Sequence, residues 1–210
     1  MKPLLVFTGP LYSRSGYGEC ARDFAKYLLT KVTSHEIYFI DTKWGNTPDN
    51  AVTDCTDLID IIVEKTLHEQ PTREIDVHFH LSLPSDFRVL GKVNIGLTAG
   101  VETTKCPISF IHGCNRMDMV IVPSEFTKET LINTKYTNEN TPKPVQCTTE
   151  VKVVFEGYDE NVYNEDLVYS DTLETEMQCI QDEYCFLFVG HWMTQYSLGN
   201  DRKDIGMLIK

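Results

Sequence analysis

The stretch from Leu4 to Leu29 constrains the fold of this chain more than any other. Leu4-Leu5-Val6-Phe7 is a short apolar run of the kind that becomes a buried parallel strand. Gly9-Pro10 ends it, and Leu11 to Ser15 form a polar loop. Gly16-Tyr17-Gly18 then opens an amphipathic segment with Ala21, Phe24, Ala25, Leu28 and Leu29 at helical spacing. A strand, a glycine loop and a helix together offer backbone N–H groups and a positive helix end to an anion. Glycine lets a phosphate or sugar come close to that backbone. In a full-length form, Gly16→Val or Gly18→Val is therefore expected to impair ligand binding with little loss of fold.

Two other readings of the same residues stay open. Gly16, Gly18 and Ala21 satisfy G-x-G-x-x-A, and Asp41 ends the next apolar run, where the ribose-binding acid of a nicotinamide or flavin site would stand. Against this, Gly9 to Ser15 separate the strand from the first glycine of the pattern, whereas a dinucleotide loop turns tightly. The loop can also be purely structural.

Apolar runs and helical stretches alternate along the chain. Strands are expected at Ile37–Ile40, Ile75–Leu81, Val93–Leu97, Met119–Val122 and Val151–Phe155, the second of these with a polar face of Asp76, His78 and His80. Helices are expected over Leu58–Leu67, capped by Asp54 or Thr56, over Ile108–Met117, and after Ser124, whose hydroxyl can cap the helix start. The loop from Thr42 to Asn50, with Trp44 and Pro48, and the polar segment from Thr137 to Thr149 read as exposed connections. This order implies an α/β fold, a parallel sheet with helices on both faces, over residues 1–158. Residues 159–183 carry many acids and no Lys or Arg, and read as a solvated linker with a short helix near Leu173–Ile180. Phe186-Leu187-Phe188-Val189 resembles another buried strand, and Ile205, Leu208 and Ile209 begin a helical face. Residues 184–210 thus read as the truncated start of a second α/β domain.

The formal net charge of −12 argues against nucleic acid or an anionic membrane as the main partner. No apolar run approaches the length of about 18 residues that a transmembrane helix needs. Seven cysteines without a regular framework suit reduced thiols and a cytoplasmic location. His78 and His80 share a strand face but have no evident third ligand, so no metal site is expected. Cys114 reads as a buried thiol.

Four segments, in order, resemble the two-domain GT-B glycosyltransferases, most closely the retaining family 4 group. Gly9 to Arg22 is similar to that family's N-terminal glycine loop and helix. Asn94-Ile95-Gly96 through Val101-Glu102-Thr103-Thr104 is similar to its strand and aromatic-Glu turn, with Val101 in place of the aromatic. Met117-Asp118 followed by Val122-Pro123-Ser124-Glu125-Phe126 matches the segment D-x-hydrophobic-V-P-S-x-F. Glu156-Gly157-Tyr158-Asp159 stands for the usual Asn-Gly-Val-Asp before the linker. Phe186 to Lys210 is similar to the opening of the donor domain, with His191 where an arginine is usual; the paired-glutamate donor motif is not in the chain.

The resemblance implies a Rossmann-like GT-B N-terminal domain. It also implies transfer of a sugar from a nucleoside diphosphate sugar to a hydroxyl of a glycan, lipid or protein, with retention and without a metal or other cofactor. Gly16, Tyr17 and Gly18 would line the substrate site with Arg202 and Lys203, which would offset charge on the leaving pyrophosphate. Glu102 would be the carboxylate at the reaction centre. The 210-residue chain alone is expected to be inactive in transfer. A non-catalytic module that binds an acceptor or a protein partner, and a nicotinamide-binding enzyme, are the alternatives.

Overall fold

The strands of the computed structural model are β1 (Leu4–Gly9), β2 (Glu36–Asp41), β3 (Ile75–Leu81), β4 (Gly91–Leu97), β5 (Met119–Val122), β6 (Lys135–Tyr136), β7 (Val145–Gln146) and β8 (Glu150–Val153). The helices are α1 (Gly16–Lys31), α2 (Asp57–Glu64), α3 (Ile108–Cys114), α4 (Glu125–Asn133) and α5 (Asp171–Met177). The structure describes residues 2–53, 57–69, 71–137, 144–158, 160, 163–166, 168, 170–182 and 184–188. Residues 1–157 and 158–210 form two separate units.

The first unit is Rossmann-like. Six strands form one sheet in the order β2-β1-β3-β4-β5-β8, every pairing parallel. β1 is buried along its whole length, as its apolar sequence demands. Leu5, Phe7, Ile37 and Phe39 share one face, covered by Ala21, Ala25 and Leu28 of α1 and by Ile59 and Ile62 of α2. Phe7 and Phe39 are fully buried, each contributing about 1.5–3 kcal/mol by removal from water. The register carries Thr8, His80, Gly96, Val120 and Val151 across the other face in one row. There Val120, Val122 and Val151 pack beneath Phe110 and Ile111 of α3 and Leu131 of α4. Strand order reverses beside β1, between β2 and β3, so the loops after β1 and β3 diverge there. In open parallel sheets this divergence makes the ligand crevice.

Several elements differ from the sequence reading. α2 stops at Glu64, because the chain leaves the helix to bond the sheet edge: Phe39 donates to Lys65 O at 3.0 Å and Leu67 donates to Phe39 O at 2.8 Å. Its expected caps, Asp54 and Thr56, lie outside the described residues. α3 ends at Cys114. The polar segment after Thr134 carries the antiparallel pair β6–β7. The two histidines of the polar face of β3 are buried: Arg88 N donates to His80 Nδ1 at 3.0 Å, and His78 and His80 are 0% and 2% exposed, while Asp76 stays partly exposed.

In the second unit, Ser170 caps α5 by accepting from Leu173 N, and no residue of α5 is buried. Phe186, Leu187 and Phe188 form no strand. They are 89%, 88% and 40% exposed, so the expected buried run is absent over those three residues. Val189 and the helical face from Ile205 to Ile209 lie outside the described residues.

Candidate functional site

The loop after β1 is held from within. Arg22 is buried on α1, and its guanidinium donates to Leu11 O at 2.9 Å and Ser13 O at 2.8 Å. Glu19 balances its charge at 2.5 Å. From the side, Tyr12 N donates to Asp41 Oδ1 at 3.0 Å. Burial holds the Asp41 carboxyl above its ordinary range, partly offset by that amide. The loop after β2 closes over the first: Arg14 N donates to Pro48 O at 2.9 Å, Arg14 Nε donates to Asn50 Oδ1 at 2.8 Å, and the Ser13 and Thr47 hydroxyls lie 2.6 Å apart. Asp41 thus commits its carboxylate to the protein's own loop, where the dinucleotide reading needs it for a ribose.

α1 starts at the end of this loop. Helix geometry leaves the amides of a first turn without intrahelical acceptors. Ser15 takes one of them, accepting from Gly18 N at 3.0 Å. The two glycines then part company. Gly16 is exposed, and a Cβ there would meet nothing within 4 Å. Gly18 is buried, and a Cβ there would stand 2.0 Å from Ser13 O. The expectation that Gly18→Val spares the fold is therefore corrected: Gly18 is needed for helix and loop to touch.

Tyr17 ties this helix start to its neighbours. Its ring stacks on Trp44, with centroids 4.0 Å apart and 21° between planes. Its hydroxyl lies 3.3 Å from Thr98 Oγ1 and accepts from Ala99 N at 3.1 Å. Burial raises its pKa, against the hydrogen bond to Thr98. The segment after β4 is thereby fixed at the carboxyl edge of the sheet. Gly100 turns it with φ of +81°, a conformation L side chains rarely adopt, and a Cβ would also strike Thr127. Three threonines at α4 hold the residues around this turn. Thr127 Oγ1 donates to Ala99 O at 3.3 Å and Thr130 Oγ1 donates to Thr103 O at 3.2 Å, while Cys106 N donates to Thr134 Oγ1 at 3.2 Å.

Glu102 lies within this tethered segment and is exposed. After β8, Glu156 accepts from Cys20 Sγ of α1 at 3.8 Å, and burial followed by the Glu156 charge pushes the Cys20 thiol up to about 11. Ser124 caps α4, accepting from Thr127 N at 3.2 Å. Gly16, Tyr17, Gly18, Glu102, Ser124 and Glu156 all lie beyond carboxyl ends of strands. Arg202 and Lys203 lie outside the described residues.

Arg22 and Trp44 shape this edge, and sequence reasoning assigns neither of them such a part; Asp41 enters it there only as a ribose-binding acid. A tryptophan in a polar loop and an arginine beside Ala21 on an apolar helix face are the available signals. A cavity of about 370 Å³ lies elsewhere, against the sheet at Thr8 and Ile40, walled by Leu67, Arg73 and Arg88. Among the described residues no group of three or more His, Cys, Asp or Glu could hold a metal ion, and no helix is long and apolar enough to cross a membrane.

Comparison with family models, with curated proteins and with solved structures gives no match.

Proposed function

We propose that residues 1–157 are the acceptor-side half of a retaining sugar-nucleotide glycosyltransferase of GT-B type. The observation that carries this reading is the open, amide-lined start of α1 at the strand-order reversal, with free space above Gly16. It is supported by the Val122-Pro123-Ser124-Glu125-Phe126 segment, which forms a strand end and a capped helix at the same edge. In transfer, negative charge builds on the departing diphosphate. The Gly16 and Tyr17 amides and the positive end of a 16-residue helix would offset it. Tyr17, braced by Trp44 and Thr98, gives the crevice a fixed aromatic wall, and Glu102 would hold an acceptor hydroxyl or a donor sugar hydroxyl. The acceptor is a glycan, lipid or protein hydroxyl, and the donor is the only small-molecule partner required.

Calorimetry with a panel of uridine, guanosine and adenosine diphosphate sugars, on a form of the chain extended by a donor-binding domain, tests the reading. One donor should bind, and Gly16→Val should weaken it by about tenfold or more, equivalent to roughly 1.4 kcal/mol, with an unchanged thermal midpoint. Absence of binding across the panel, or equal affinity in the variant, overturns the reading.

A further inference from the structure

Three thiols gather at the other edge of the sheet, where β5 and β8 begin. Cys106 and Cys114 are buried in the cluster beneath α3, and Cys147 packs against that cluster, half-buried. The backbone around Cys147 is fastened to the end of α3 on both sides. Asn115 Nδ2 donates to Gln146 O at 2.8 Å, and Thr148 N donates to Asn115 Oδ1 at 2.8 Å. Thr149 Oγ1 donates to Cys114 O at 2.9 Å. Residues 146, 148 and 149 are therefore all bonded to Cys114 or to its neighbour, and residue 147 has nowhere to go but beside Cys114.

The chemistry of the two sulfurs differs. The Cys114 thiol donates toward the Cys147 sulfur, which favours the Cys147 thiolate and lowers its pKa. The same contact, with burial, raises Cys114. As a thiol, Cys147 donates to Thr149 O at 3.8 Å. Cys106 is more deeply buried, 1% exposed, and its backbone N donates to Thr134 Oγ1. A half-buried cysteine whose ionisation is favoured, next to a buried thiol, is the arrangement of an attacking and a resolving cysteine.

We propose that Cys147 and Cys114 form a redox-active dithiol that closes to a disulfide by exchange with a small-molecule disulfide such as oxidised glutathione. In the first step the Cys147 thiolate attacks one sulfur of glutathione disulfide. A Cys147–glutathione bond forms and one glutathione thiolate leaves. In the second step Cys114 attacks the Cys147 sulfur, its proton passing to the departing second glutathione. Two protein thiols are oxidised and one glutathione disulfide is reduced to two thiols. The product staples the end of α3 to the segment entering β8, at the edge opposite the α1 crevice, so this site is independent of the proposed transferase site.

The test is to incubate the intact native chain with mixtures of reduced and oxidised glutathione, block the remaining thiols with iodoacetamide, and map peptides without reduction. The expected product is a Cys114–Cys147 linked peptide two hydrogens lighter than its parts. The exposed Cys179 and Cys185 serve as internal standards for simple glutathione addition. Cys114→Ser should stop the reaction at a glutathione adduct on Cys147. Any of three results in the unsubstituted chain overturns the proposal: a stable adduct on Cys147, a Cys106–Cys147 link, or Cys147 left alkylated while Cys179 and Cys185 carry glutathione. The map of the unsubstituted chain decides the matter even where the variant does not fold.

Discussion

One carbon atom separates Gly16 from Gly18 in consequence. Gly18→Ala sets a Cβ 2.0 Å from a backbone oxygen, and the loop must move to admit it. The expected loss is about 1–3 kcal/mol, as for other overpacked sites. Gly16→Ala meets open space and should stay within about 0.5 kcal/mol of the parent. Urea denaturation of the pair checks this, and equal midpoints would remove the structural role given to Gly18. A second residue-scale expectation concerns pH. Burial holds His78 down to about 4 and His80 down to about 3. In the unfolded chain both titrate near about 6.5. Below that pH the unfolded state binds more protons than the folded one, so stability falls. It should be flat above about pH 6.5 and decline from there down through the folded values. Urea midpoints from pH 7.5 to pH 5 measure it, and His80→Gln should shallow the decline. An unchanged slope in that variant would assign the acid sensitivity to other groups. The spacing of His78 and His80 is plain in the sequence, but their burial is not. Alternating polar residues look alike whether water or Phe87 and Arg88 lie above them.

α1 acts as the hub of its edge because its first turn touches three other segments. The Tyr17 hydroxyl is the tie to the segment after β4. Tyr17→Phe keeps the stack on Trp44 and removes only that tie. The Ala99 amide should then exchange its hydrogen faster, by about tenfold for a loss near 1.4 kcal/mol, the upper range for one hydrogen bond. The β1 amides should be unaffected. Unaltered exchange at Ala99 would mean that α4 alone holds the segment, through Thr127. Elements with a dense apolar signal are legible in the sequence: β1, β2, β5, α1 and the start of α4 all come from runs, spacing and a serine cap. α2 reads too long there because Leu67 continues the helical spacing, while its backbone does better by bonding Phe39. β6 and β7 have two residues each, too few to print an alternation on a polar segment.

At the scale of the molecule, residues 1–157 carry their own sheet and three buried clusters. A chain cut after Gly157 should keep one cooperative thermal transition, within about 3 °C of the full chain, equivalent to roughly 1 kcal/mol. Loss of that transition would show that the first unit depends on the second. The candidate crevice is legible in the sequence only as a place. The glycine loop marks the helix start, but which glycine lies open depends on Ser13 O, and no local pattern encodes that distance. The borders of the sheet carry a last consequence. β2 and β8 are its outer strands, and outer strands are templates on which other chains can stack into fibrils. The β2 border is occupied at Phe39 by Lys65 and Leu67. The β8 border is guarded by Glu150 and Lys152, both exposed, with Nζ 3.4 Å from a carboxylate oxygen. A neighbour adding a strand there would have to strip water from both charges. Removing them with Glu150→Val and Lys152→Val should raise thioflavin fluorescence in concentrated solution; no rise would mean that something other than charge keeps these molecules from polymerising.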